Sequence, residues 1–166
     1  MDRVRRIINA QAAYDRGYFG ENIGVAILDT GIFPHADFGN RIRCFQDFIH
    51  WRRRVYDDNG HGTHIAGIIG GSGRASNGRF QGIAPGCHFV IIKILDKRGN
   101  GNTENVVQAI NWLVDHKEMY GIRIVNISVG MVLHAESQER VRMLKAVEYA
   151  WDNNLVVVAA AGNNGP

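Results

Sequence analysis

Several common signals are missing from this 166-residue chain, and each absence removes a class of function. Its two cysteines, Cys44 and Cys87, stand far apart with no Cys-x-x-Cys spacing. That excludes a metal knuckle and a disulfide framework, and leaves reduced thiols as the default. Nowhere is there the run of about 18 apolar residues that a membrane-crossing helix needs. The N-terminus passes from Met1 straight into charged Asp2 and Arg3, without the apolar core of an export signal. A soluble, cytoplasmic chain with no membrane partner is therefore expected.

An excess of charge of one sign is also lacking, since 19 basic against 16 acidic residues give a net +3. The basic runs are Arg3, Arg5 and Arg6, and Arg52-Arg53-Arg54. Few aromatics accompany them, and Asp57 and Asp58 follow the second, so it reads as a solvated loop and no nucleic-acid partner is expected. The apolar content of 45% is enough for a sizeable core, and the length is that of one domain, residues 1–166.

What is present is a chain organised around Asp58-Asn59-Gly60-His61-Gly62-Thr63-His64-Ile65-Ala66-Gly67-Ile68-Ile69-Gly70-Gly71. A polar, Gly-broken approach leads into small and apolar residues suited to a helix packed closely on something flat. His61 then sits at a helix entrance, where one ring nitrogen can face a substrate and the other an orienting group. Three readings of His61 compete: a structural histidine, a zinc ligand with His64, and a general base oriented by a carboxylate. Zinc would want a third ligand and the glutamate of His-Glu-x-x-His, and Gly62 and Thr63 stand there instead. A general base requires an aspartate at a strand end.

The chain supplies one. One or two short helices around Ile7 to Tyr14 precede a continuous apolar run, Ile23 to Leu28, the pattern of a strand covered on both faces, and the run ends in Asp29-Thr30-Gly31. Taken alone, Asp29 is equally a residue that caps a turn. Asp-Thr-Gly also occurs in aspartic proteases, but no second such triplet exists to share a proton with the first. Residues 33–59 read as irregular, with room for a strand at Ile42 to Phe48. Ser72 to Gly82 is a Gly/Ser-rich loop without the lysine and hydroxyl of a phosphate-binding loop.

Further strands are expected at Phe89–Leu95, Ile122–Val129 and Leu155–Ala161. A helix capped by Thr103 should bury Val106, Ile110, Leu113 and Val114, and another, from about Ser137, should carry Met143, Val147, Ala150 and Trp151 on one face. Strand and helix in alternation predict an α/β fold, a parallel β-sheet joined by right-handed crossovers with helices on both faces. The polar and glycine segments that close the strands then collect at one edge of the sheet.

Four segments now resemble the subtilisin-like serine proteases, over essentially the whole chain. Val25-Ala26-Ile27-Leu28-Asp29-Thr30-Gly31 is similar to the family's aspartate motif, and His61-Gly62-Thr63-His64-Ile65-Ala66-Gly67 to its histidine motif. Asn126-Ile127-Ser128-Val129-Gly130 resembles the substrate-binding segment, and Ala159-Ala160-Ala161-Gly162-Asn163 the oxyanion motif. The resemblance implies that His61 is the general base, that Asp29 orients it, and that Asn163 donates its side-chain amide to the oxyanion.

It also implies that a polypeptide substrate lies as an extended strand between Gly99–Gly101 and Ser128-Val129-Gly130. Ala160 and Gly162 would line the pocket for the residue before the scissile bond, and Thr103 and Val106 would border a more distant one. His64 would be structural. No cofactor is needed for the chemistry, and Asp37 matches a position that ligates a structural calcium in many relatives. The match breaks at the nucleophile: Ser72, Ser76, Ser128 and Ser137 all lack the Gly-Thr-Ser-Met-Ala context. The expectation is an N-terminal portion of a peptidase domain whose partner is its own missing C-terminal portion. Alone it should be inactive and should expose apolar strand faces. The alternative is a non-catalytic homologue or peptide-binding scaffold.

Overall fold

A computed structural model describes residues 2–128 and 138–161. Two short helices, α1 (Asp2–Ile7) and α2 (Gln11–Tyr14), lead to the first strand, β1 (Gly24–Asp29). Then follow β2 (Ile42–Asp47), α3 (His61–Gly70), a 3₁₀ turn (Arg74–Ser76) and β3 (His88–Lys93). The chain continues through α4 (Thr103–His116), β4 (Ile122–Ile127), α5 (Gln138–Asp152) and β5 (Val156–Ala159). The five strands form one parallel sheet in the order β2-β3-β1-β4-β5.

β1 lies at the centre, with all six residues buried, because an unbroken apolar run has no side to turn to water. Its alternate side chains feed two cores. Ala26 and Leu28 pack with Val90, Ile92 and Ile127 under α4 and α5, against Val106, Ile110, Leu113, Ala146 and Ala150. Val25 and Ile27 pack on the opposite face with Phe89, Ile91, Phe38 and Ala66 of α3. The sheet is thus flanked by helices on both faces, as the alternation predicts.

The connections depart from that expectation in one respect. The steps β2 to β3, β3 to β4 and β4 to β5 all run in the same direction along the sheet. Yet α3 lies on the face opposite α4 and α5, so the β2–α3–β3 crossover has the opposite hand to the other two. With those two in the usual right-handed sense, the odd one is left-handed. This hand places the start of α3 over the end of β1.

Two further details correct the sequence reading. Asn102, not Thr103, caps α4, its side chain accepting from Asn105 N–H at 2.8 Å, while Thr103 is buried at the first helical position. Trp151 is 62% exposed. The face of α5 closes through Ala146 and Ala150, and the next residue lies about 100° round the helix. At the far edge only one face of β5 is covered. Val157 packs into the core beneath α5, but Val156 and Val158 are 49% and 50% exposed.

Candidate active site

Asp29 is fully buried at the carboxyl end of β1. Its main-chain oxygen accepts from Ile94 N–H at 2.9 Å, and its Oδ1 accepts from Thr30 N–H at 2.6 Å. The chain then turns sharply at Gly31, whose φ is +122°; a Cβ there would stand 2.2 Å from the Tyr56 oxygen. The start of α3 presses on the same turn, and a Cβ at Gly62 would stand 2.2 Å from the Gly31 oxygen. Two glycines thus permit a contact that no side chain could occupy.

That contact brings His61 to Asp29. His61 Nδ1 lies 2.8 Å from Asp29 Oδ1 and 2.9 Å from Oδ2. A carboxylate only accepts, so Nδ1 carries a proton toward Asp29, and the neutral ring then has its lone pair on Nε2. The His61 side chain is 46% exposed while Asp29 is fully buried. The ring therefore meets solvent on one side and a fixed acceptor on the other.

The first turn of α3 is held by neighbouring side chains that satisfy its free N–H groups. His61 N–H donates to Asn59 Oδ1, Gly62 N–H to Thr30 Oγ1 and Thr63 N–H to Asp57 Oδ2. Asp57 also accepts from the Thr30 and Thr63 hydroxyls and from the Asn59 and Gly60 N–H groups. Burial would raise its pKa, but these bonds outweigh that and hold it below the ordinary carboxylate value. Thr30 therefore links the aspartate turn to the histidine helix through both its oxygen and its proton.

Lys93 was not singled out from the sequence. Its ammonium is fully buried beneath the pair, opposite Asp29 in the β1–β3 register. Nζ donates to Thr30 O at 2.6 Å, Asp58 Oδ1 at 2.7 Å and Leu95 O at 2.8 Å, and lies 5.0 Å from the Tyr56 ring centroid. One cation thus ties the aspartate turn, the approach to His61 and the exit of β3. The signal was available: a lone lysine within Ile91-Ile92-Lys93-Ile94-Leu95 is buried by its neighbours and so must be paired.

The segments proposed to hold substrate flank this centre. Gly99 and Gly101 lie in the turn after β3, organised by Asp96, whose Oδ1 accepts from Arg98 and Asn100 N–H. Ser128 follows β4 and its hydroxyl accepts from Asn126 Nδ2 at 2.6 Å. Because β3 and β4 are the two neighbours of β1, these segments lie on either side of Asp29. Ala160 is exposed at the end of β5 and donates its N–H to Ile127 O. Val129, Gly130, Gly162 and Asn163 lie outside the described residues. Thr103 and Val106 are buried in the core.

Away from the site, His64 is exposed on the outer side of α3, where it lines a cleft with His35, Asp37 and Phe80. Asp37 Oδ1 accepts from Ala75 N–H at 2.7 Å, anchoring the 72–76 loop. Among the described residues no group of three or more His, Cys, Asp or Glu side chains stands together to hold a metal ion. Both cysteines are free, and burial pushes the Cys87 thiol up to about 11, against a smaller opposing effect of Arg41. Among the described residues no helix is long and apolar enough to cross a membrane.

Comparison with known proteins converges on one family. The model of the subtilase family (peptidase S8) matches residues 20–166. The serine protease AprX of Bacillus subtilis is 38% identical over 151 residues, covering 89% of this chain and 34% of that protein. Subtilisin Savinase of Lederbergia lenta is 33% identical over 158 residues, covering 95% of this chain and 54% of that one. A crystal structure of a cold-adapted subtilisin-like serine proteinase superposes with a TM-score of 0.73 at 28% identity, covering 88% of this chain and 48% of its own. The chain thus spans about a third to a half of the length of these relatives. The parallel sheet with helices on both faces is the subtilisin-like α/β fold, and the chain belongs to the subtilase family.

Proposed function

We propose that this chain supplies the base and its orienting partner to a serine-type endopeptidase, and that by itself it does not hydrolyse peptides. The observation that carries the proposal is the His61 Nδ1 contact to both oxygens of buried Asp29, with the ring half open to solvent. With Nδ1–H donating to Asp29, Nε2 takes the proton of an attacking serine hydroxyl, and Asp29 stabilises the imidazolium that forms. His61 then returns that proton to the leaving amine.

The peptide lies as an added strand between the Gly99–Gly101 and Ser128–Gly130 edges. Ala160 and Gly162 line the pocket before the scissile bond, and the Asn163 amide donates to the oxyanion. No cofactor enters these steps. A calcium ion held through Asp37 Oδ2 would be structural, and a thermal midpoint that rises with calcium and falls back with a chelator is its test. No serine in the 166 residues has the nucleophile's motif.

The decisive experiment is labelling with a fluorophosphonate probe of activated serines, on this chain alone and on the full gene product. Labelling of the full product only, abolished by His61→Ala, is the expected result. Labelling of the chain alone would refute the statement that it lacks a nucleophile. A folded full product that stays unlabelled would overturn the peptidase reading in favour of a peptide-binding scaffold.

A further inference from the structure

A groove of about 570 Å³ lies beside the His61–Asp29 pair and takes no part in the chemistry above. One wall is Phe33, two residues past Gly31. The other is the loop that runs into His61, with Arg52, Arg54, Tyr56, Asp57 and Asp58. Two arginines and two aspartates line it, and the hydrogen bonds show which of these groups already have partners.

Asp57 is turned inward, and its two oxygens accept from five donors on Thr30, Asn59, Gly60 and Thr63. Asp58 is matched from beneath by the buried ammonium of Lys93, 2.7 Å away. Neither carboxylate forms a direct ion pair with either arginine. The Arg52 guanidinium rests 5.1 Å from the Tyr56 ring centroid, which orients it while leaving its N–H groups in the plane unspent. Arg54 is exposed and has no hydrogen-bond or ion-pair partner among the described residues.

The loop that carries these arginines is also fixed in advance. Asp47, buried at the end of β2, accepts from the N–H groups of Ile49, His50 and Arg52 and from the Tyr56 hydroxyl. These four bonds outweigh the effect of burial and hold the Asp47 pKa below the ordinary carboxylate value. The groove thus presents guanidinium donors without an ion-pair partner among the described residues, on an ordered loop beside an apolar Phe33 wall.

We propose that this groove is a subsite for an acidic side chain, Asp or Glu, of an extended peptide whose scissile bond is presented to His61. The subsite rests on the peptidase reading for its place beside the scissile bond. An extended peptide advances about 3.3 Å per residue and alternates its side chains, so a residue a few positions from the bond reaches the groove. There its carboxylate meets the planar forks of Arg52 and Arg54, and its methylenes lie on Phe33.

The test uses the full gene product carrying His61→Ala, which should leave peptides uncut, and blocked alanine-based hexapeptides with one Glu stepped through each position. Matched peptides carry Gln or Lys instead, and affinity is read by titration at low salt. The expected result is one Glu position that binds about fivefold tighter than Gln, the scale of one well-oriented exposed ion pair. That preference should vanish in the Arg52→Ala/Arg54→Ala double variant and turn toward Lys in Arg54→Glu, with unchanged far-UV circular dichroism.

Equal affinity for Glu and Gln, no measurable binding, a Glu preference that survives the double variant, or free acetate competing as well as the peptide would each overturn the proposal. The two readings fail separately. A folded, unlabelled full product with an intact Glu preference removes the peptidase and keeps the groove as an acidic-peptide site. Labelling without the preference removes the subsite alone.

Discussion

The two sides of β1 are finished to different degrees. Toward β3 and β2 the sheet is closed on both faces: α3 and Phe38 cover one and α4 the other, and the side chains of Phe89, Ile91 and Ile92 are fully buried. The polar apparatus around His61 is equally complete, and among the described residues no buried side-chain polar atom lacks a partner. Toward β4 and β5 only the face under α4 and α5 is closed, and Val156 and Val158 lie half exposed on the other. His61 and Asp29 belong entirely to the closed side. Ser128 after β4 and Ala160 after β5 belong to the side with a bare face, so the proposed substrate edge stands on the less covered side and the His61–Asp29 contact on the covered one.

The largest expected effects lie on the closed side. Lys93→Met should cost about 3 kcal/mol in urea unfolding, because it leaves Asp58 and two carbonyls without their common donor. Ile91→Ala, at a fully buried position, should cost about the same by opening a cavity. The corresponding truncation on the open side, Val158→Ala, should cost less than about 0.5 kcal/mol. Comparable losses at Ile91 and Val158 would erase the distinction between the two sides.

Gly62→Ala comes next. Its Cβ would meet the Gly31 oxygen at 2.2 Å, so the helix must back away from the aspartate turn, at about 2 kcal/mol. A structure of the variant should show the His61–Asp29 contact lengthened; an unchanged contact would mean that the turn yields and the glycine is not what sets the pair.

Acid should loosen the closed side further. Asp57 and Asp47 both have folded pKa values below the ordinary 3.8, so the unfolded chain takes up protons first as pH falls. Their stabilisation is complete well above pH 3.8, declines as pH falls through that value, and is lost once the folded values are passed. Thermal midpoints measured from pH 6 to pH 3 should drop, and Asp57→Asn, which removes one titrating partner, should show a lower midpoint at pH 6 and a smaller further drop. An equal drop in the variant would place the acid sensitivity elsewhere. The smallest effect is expected for Arg142→Ala, which removes an exposed, solvent-screened ion pair to Glu104 and should leave the urea midpoint unchanged within measurement error.

The parts legible in the sequence were those that depend on near neighbours. Gly24–Asp29 had to be a buried strand because nothing in it is polar until Asp29, and the helix after His61 was announced by its small residues and its glycine approach. The order of strands was not legible, since any apolar run can pair with any other. Trp151 was misplaced because its spacing fits the apolar stripe, while packing against α4 favours the small side chains of Ala146 and Ala150. Thr103 was taken for a cap because the adjacent Asn102 offers the same chemistry one residue earlier. The inward turn of Asp57 and the pairing of Asp58 with Lys93 were not legible either, because sequence proximity is a poor guide to which way a carboxylate turns.

By itself the sequence determined the two motifs, the strand that ends in Asp29 and the alternation that makes a parallel sheet, because these are set by side-chain polarity and backbone preference over a few residues. Only the tertiary structure decided the rest. The left-handed crossover lays α3 over β1, the paired glycines let the helix meet the turn, and Lys93 takes the charge of Asp58 from beneath, leaving Arg52 and Arg54 to the groove. Each of these joins residues more than twenty positions apart, and such contacts form only when a whole sheet has closed around them.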